Sequence, residues 1–276
     1  MAKRLKTITA GPLVAGVCYT APAVRDGPQE RQSKAQMSSA AQERVNLRRS
    51  WQKLEMLLAA NFGPRDLHVV FTYGEAHLPP ARAGAVQHLR RMIRLLRAHR
   101  RARGQPTRYV YITEQLSAEG GRLHHHMVLN GTGDDLEVLR SLWPWGQVEV
   151  ERLDLWQGYE AMAKYLTKEP REVGRPEPGV RSWSAALGLT KPRTESESVP
   201  DTVTIAAPPG AIILDRREEH NEWGDYLYLK YLMPDRKEEK KGARPPRRKA
   251  DNRTALASCS GLKHSVSSGR PRRKGG

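Results

Sequence analysis

Three consecutive histidines, His124, His125 and His126, sit in the short apolar run Leu123–Leu129 (LHHHMVL) directly after Gly121-Arg122. The run is too short for a helix and reads as a strand. Alternate side chains of a strand share a face, so His124 and His126 point together while His125 points away. With a rise of about 3.3 Å per residue, the two imidazoles stand about 7 Å apart, close enough to grip one metal ion. Glu114 lies ten residues before His124, at the end of a β-branched and aromatic run, Thr107–Thr113 (TRYVYIT). If these two runs form a hairpin across Gly120-Gly121, the carboxylate returns beside the imidazoles. Two histidines and one carboxylate that leave coordination positions open suit a divalent ion that must also bind a substrate oxygen. Donor softness does not choose between Mg2+ and Mn2+. Taken singly, a His-x-His strand is more often ordinary than metal-binding, and a strand-end glutamate is commonly solvated. Their combination is what points to a centre.

A second chemical candidate follows in Ala163-Lys164-Tyr165-Leu166-Thr167-Lys168. Tyr165 and Lys168 are three residues apart and share one side of a helix. A phenol loses its proton near pH 10. A neighbouring ammonium and a metal-polarised phosphate would make it a usable nucleophile nearer neutrality. Lys164 is an alternative assisting cation. The default meaning of Tyr-x-x-Lys is a packing tyrosine beside a surface lysine, so this motif also depends on its context.

Composition narrows the substrate. The 276 residues hold 47 Lys and Arg against 30 Asp and Glu, a formal net charge of +17 with a pI near 10.2. A charge this large has a polyanion as its usual partner. Nucleic acid is favoured over membrane, because no apolar run is long enough to span a bilayer. Two cysteines, Cys18 and Cys259, both expected to be peripheral, imply neither a disulfide framework nor a Cys-based zinc site. A reducing cytosol is the simpler setting. Gly11, Pro12, Gly16 and Pro22 interrupt what would otherwise faintly resemble a secretory leader.

The elements that must position these residues can be read from periodicity. Residues 1–40 mix Gly, Pro, Gln and Ser without a sustained period and read as an extended N-terminal arm. Leu47, Trp51, Leu54 and Leu58 then recur at helical spacing, and Gly63-Pro64 stops that helix. Leu67–Tyr73 (LHVVFTY) reads as a strand, and a helix follows Pro79-Pro80 with Val86, Leu89, Ile93 and Leu96 on one stripe. Its other faces carry Arg90, Arg91, Arg94, Arg97, Arg100 and Arg101, for which a solvated face is at least as good a reading as a phosphate-binding surface. The two strands of the histidine hairpin come next, then a short helix through Leu142, a strand at Val148–Glu151 and a helix from about Leu155 to Lys168. The order β-α-β-β-α-β-α suits an α+β fold, a four- to five-stranded antiparallel sheet with helices of the ferredoxin-like or RRM-like kind. Thr202–Leu214 has strand character, and Asp225–Leu232 is an aromatic stretch with three tyrosines. From Arg236 onward fourteen lysines and arginines face three acids, a composition expected of a disordered tail that touches nucleic-acid backbone. The expected organisation is an arm (1–40), a catalytic domain with its preceding helix (41–170, core 65–170), an extension packed on the core (171–235) and the basic tail (236–276).

The strand and helix motifs, in this order and at this separation, resemble those of the HUH-endonuclease superfamily, and more narrowly rolling-circle replication initiators of phages, prophages and plasmids. The resemblance covers about residues 65–170. It implies that His124 and His126 are the histidine pair, Glu114 the third metal ligand, Tyr165 the nucleophile and Lys168 its assisting lysine. The family's first motif corresponds to Val69–Tyr73. Two departures are visible. The middle of the histidine motif is His125 where the family carries an apolar residue, and Ala161 stands where two-tyrosine members place their other tyrosine, with Tyr159 off that face. A single-tyrosine enzyme is implied. It would use Mg2+ or Mn2+ to nick and rejoin single-stranded or origin DNA through a 5′-phosphotyrosine, in the cytoplasm of a bacterial host and alongside the host's replication machinery. Competing readings are a single-tyrosine transposase or relaxase, a non-catalytic RRM-like single-strand binder that stacks bases on Tyr109 and Tyr111, and a metal-dependent oxidase with the same two-His-one-carboxylate set.

Overall fold

The computed structural model describes residues 3–20, 40–115, 122–155, 158–167, 183–222 and 224–233. The chain divides into two units, Met1–Asp235 and Arg236–Gly276, and every described residue belongs to the first. The reading of 236–276 as a disordered tail therefore lies outside the described residues.

Residues 3–20 are not an extended arm. They form a hairpin of β1 (Lys3–Ala10) and β2 (Leu13–Thr20), with Gly11 at φ 57° in the turn. Gly11 is required there twice over. Its φ lies where side-chain-bearing residues are strained, and a Cβ would come within 2.3 Å of the Ala59 carbonyl oxygen. Cys18, expected at the periphery, is fully buried in β2.

The long helix α1 (Ala40–Asn61) presents Leu54 and Leu58 inward. The central segment then runs β3 (Leu67–Thr72), α2 (Arg82–Ala102), β4 (Tyr109–Gln115), β5 (Leu123–Leu129), α3 (Asp135–Leu142), β6 (Val148–Arg152) and α4 (Glu160–Leu166). This is the β-α-β-β-α-β-α order that periodicity predicts. α4 begins later than expected, after Gly158 at φ 79°. The strands pair antiparallel in the order β6-β3-β5-β4, with the two-residue β7 (Ser184–Ala185) added beside β4. On one face, Val69, Phe71, Tyr111, Met127 and Leu129 pack against Leu89, Met92, Ile93 and Leu96 of α2 and Leu139 of α3. Each such aliphatic or aromatic side chain contributes roughly 1.5–3 kcal/mol when fully buried. On the other face, Val110, Ile112 and Val128 meet Leu54 and Leu58 of α1 and Ala163 and Leu166 of α4.

Periodicity does not predict the second sheet. β8 (Arg193–Val199), β9 (Ile212–Asn221) and β10 (Gly224–Leu232) join the N-terminal hairpin in the order β8-β1-β2-β10-β9. Of the expected strand Thr202–Leu214, only Ile212–Leu214 is strand, while the aromatic stretch from Asp225 lies in β10. Leu13, Ala15, Leu214, Tyr228 and Leu232 of this sheet close the core around α1 and α4. The fold is thus α+β with two five-stranded antiparallel sheets. No described helix is long and apolar enough to cross a membrane.

Candidate active site

The register of the β4–β5 hairpin sets Glu114 opposite His124 and Ile112 opposite His126. Alternation then puts Glu114, His124 and His126 on the face that meets α4. His124 Nε2 lies 2.8 Å and His126 Nε2 2.9 Å from the same oxygen, Glu114 Oε2. The three donor atoms fall within 4.8 Å of one another. Glu114 and His126 are buried and His124 is half-buried. Hydrogen bonds from His124, then His126, hold the Glu114 carboxyl well below the usual carboxylate range, against the opposing effect of burial. A buried carboxylate kept ionised between two imidazoles, with all three donors aimed at one point, fits a divalent cation.

A third histidine, not picked out from sequence, completes the cluster. His68 on β3 faces the same way, because Val70 pairs with His126 and His68 with Val128. Its ring stacks on His126, centroids 5.4 Å apart and planes at 9°, with Nε2 3.2 Å from His126 Nδ1. Burial, then the neighbouring His126, lowers its pKa to about 4. A neutral imidazole can serve this bond in either direction, donating to His126 Nδ1 or accepting from it. The second direction is the one that leaves His126 Nε2 free to bind a cation, a pairing that orients ligating histidines generally. The only signal in the sequence is a polar ring within the run LHVVFTY, which no spacing rule singles out.

His125 points the other way, as alternation predicts. It is completely buried, with Nδ1 2.9 Å from Thr113 Oγ1, Nε2 3.0 Å from the Tyr73 hydroxyl and Trp143 edge-on to its ring. Burial lowers its pKa to about 3, so it is a neutral core residue with both nitrogens partnered.

α4 brings the tyrosine. Ala163 and Leu166 are buried, Tyr159 donates from its hydroxyl to the Phe62 carbonyl at 2.6 Å, and Tyr165 is left 41% exposed beside the cluster. Its ring centroid lies 5.1 Å from that of His126 and 6.1 Å from that of His68, edge-on to both. The position of α4 is fixed from the second sheet. Lys230 of β10, 2% exposed, donates to Glu55 of α1 at 3.0 Å and also to Glu160 at the start of α4. Burial works against its charge, but Glu160 and Glu55 outweigh it and raise the Lys230 pKa. Lys164 pairs with Glu160 and lies 4.8 Å over the Trp51 ring, so it is engaged toward α1. Lys168 lies outside the described residues. The structure therefore brings together Glu114, His124, His126 and Tyr165 of the five residues named from sequence, and adds His68.

Neither curated proteins nor solved structures give a match to this chain. Residues 66–170, the segment that holds all of these site residues, match the family model of the replication-associated protein known as ORF2 or gene 2 protein, which supports a replication-initiator family.

Proposed function

We propose that the chain is a rolling-circle replication initiator that nicks and rejoins single-stranded DNA with Tyr165 as nucleophile. The observation that carries this reading is the Tyr165 ring standing 5.1 Å from the His126 ring, at a cluster of two imidazoles and a carboxylate. Glu114, His124 and His126 would hold Mg2+ or Mn2+, which when bound polarises a phosphodiester as a Lewis acid. The Tyr165 phenol gives up its proton and its oxygen bonds to phosphorus. The bond from phosphorus to the 3′ oxygen breaks, and that oxygen takes up a proton. The products are a 5′-phosphotyrosine and a free 3′ hydroxyl that a host polymerase can extend. Attack by a 3′ hydroxyl reverses the step and reseals the strand without an external energy source. Lys168 follows Tyr165 by three residues and would neutralise charge on the phosphate. The match to a replication-associated family over residues 66–170 and the net charge of +17 support a DNA substrate in a host cytoplasm.

The test uses a randomised pool of single-stranded oligonucleotides with Mn2+. The expected result is a protein band of retarded mobility that survives denaturation, and its loss with chelator or with Glu114→Gln. A band of undiminished intensity in chelator would overturn the metal assignment, and reversible binding with no covalent product would favour a non-catalytic single-strand binder.

A further inference from the structure

On the face of the central sheet opposite the metal-ligand cluster, α2 carries Arg90, Arg94, Arg97 and Arg101, all exposed. Their spacings of four, three and four place them in one row about 16 Å long. α2 contains no acidic residue, and among the described residues no carboxylate pairs with these four arginines. The row does not simply face solvent. Together with Tyr109 and Tyr111 it lines a hollow of about 550 Å3 between α2 and the edge of the sheet. The two phenol rings stack at 6.2 Å, with planes 28° apart. β7 forms the far wall, held by the Tyr111–Ser184 register and by Ala186 N–H donating to the Tyr109 carbonyl at 2.9 Å. A second hollow of about 410 Å3 shares Arg97 and Arg101 and continues the track over the Gly104–Thr107 turn.

We propose that this cleft is a second, metal-independent binding site for single-stranded DNA, occupied by the strand flanking the nicking site. A row of unneutralised guanidinium groups recognises phosphates, and a stacked aromatic pair in the same hollow offers a surface to unpaired bases. A duplex keeps its bases stacked within itself and cannot use the tyrosines. The assignment of the occupant rests on the nicking function proposed above, whereas the binding itself needs neither the cation nor Tyr165. Its consequence is that affinity and chemistry sit on opposite faces of one sheet, so that each can be removed alone.

The experiment measures fluorescence anisotropy of a labelled thirty-nucleotide oligothymidine with the full chain in chelator, across a salt series. Arg94→Glu/Arg97→Glu is expected to weaken binding at least tenfold. It should also flatten the dependence of log affinity on log salt by about 1.4, the value for two lost phosphate contacts on a single strand. Tyr109→Ala is expected to weaken binding about fivefold or more with the salt slope unchanged. Wild-type affinity and slope in the arginine variant, or an equal loss on a duplex of the same length, would overturn the site. The two proposals fail separately. Loss of affinity in these variants with no covalent product on any DNA leaves the cleft standing and removes the nicking reading. A covalent product with unaltered binding in the variants does the reverse.

Discussion

The Tyr165 ring meets the His126 imidazole edge-on, centroids 5.1 Å apart and planes at 82°, while the same imidazole stacks against His68. One histidine thus touches the candidate nucleophile, the candidate ligand set through Glu114, and a third ring that governs its protonation. Each contact of this junction, and each of its supports, can be removed on its own.

Removing the His68 bond should weaken the centre without emptying it. His68→Phe keeps a ring against His126 but offers no partner to Nδ1. Mn2+ affinity, read by the free-ion electron paramagnetic resonance signal, is expected to fall by about 10- to 100-fold. His68→Gln, which can accept a hydrogen bond, should recover part of it. Wild-type affinity in both variants would mean that His68 only fills space.

The histidine on the other side of the strand should behave oppositely. His125→Phe restores the apolar middle position but strands the Thr113 hydroxyl and removes one Tyr73 partner in a buried site. A loss of about 1–3 kcal/mol in chemical denaturation is expected, with Mn2+ affinity unchanged. A reduced affinity would show that the two faces of β5 are coupled.

Lys230 links the second sheet to the nucleophile's helix. Lys230→Met leaves Glu55, whose pKa burial already raises, without its compensating charge. A destabilisation of about 3–5 kcal/mol is expected, largely recovered by adding Glu55→Gln. The wild-type Lys230 pKa is raised on folding, so its stabilising contribution is present below the ordinary lysine value of 10.5 and is lost as pH rises through the higher folded value. Melting temperature above pH 10 should therefore fall less steeply in the double variant than in wild type.

Acid acts elsewhere. Arg100, almost fully buried, donates to Asp135 Oδ1 at 2.6 Å and to the Asn130 side chain and carbonyl at 2.9 Å. Burial opposes the Asp135 charge, but hydrogen bonds from Thr132, Gly133 and Arg100 hold its pKa below the ordinary 3.8. That stability is present above the unfolded value and lost as pH falls through the folded one. Asp135→Asn should unfold more readily near pH 7 and show a shallower decline below pH 4. Parallel acid curves for variant and wild type would contradict the assignment.

What can be read from the sequence is whatever depends on local period. The alternation of His124 and His126, the return of Glu114 across the hairpin and the helical position of Tyr165 all follow from spacings of two, ten and a few residues. The pairing of β1 with β8 and of β2 with β10 joins segments far apart in the chain, and no local pattern encodes it. The Gly and Pro content that suggests an arm at 1–40 belongs, within residues 3–20, to a tight turn of a buried hairpin. His68 and Lys230 are single polar residues in otherwise apolar or aromatic strands, and their partners become visible only when β3 lies beside β5 and β10 beside α1 and α4.

The most direct test is mass spectrometry of the covalent product formed with single-stranded DNA and Mn2+, after nuclease trimming and proteolysis. The expected result is one phosphonucleotide-bearing peptide with the modification on Tyr165, and no product from Tyr165→Phe. A modification on any other residue, or a full yield of product from Tyr165→Phe, would contradict the central claim.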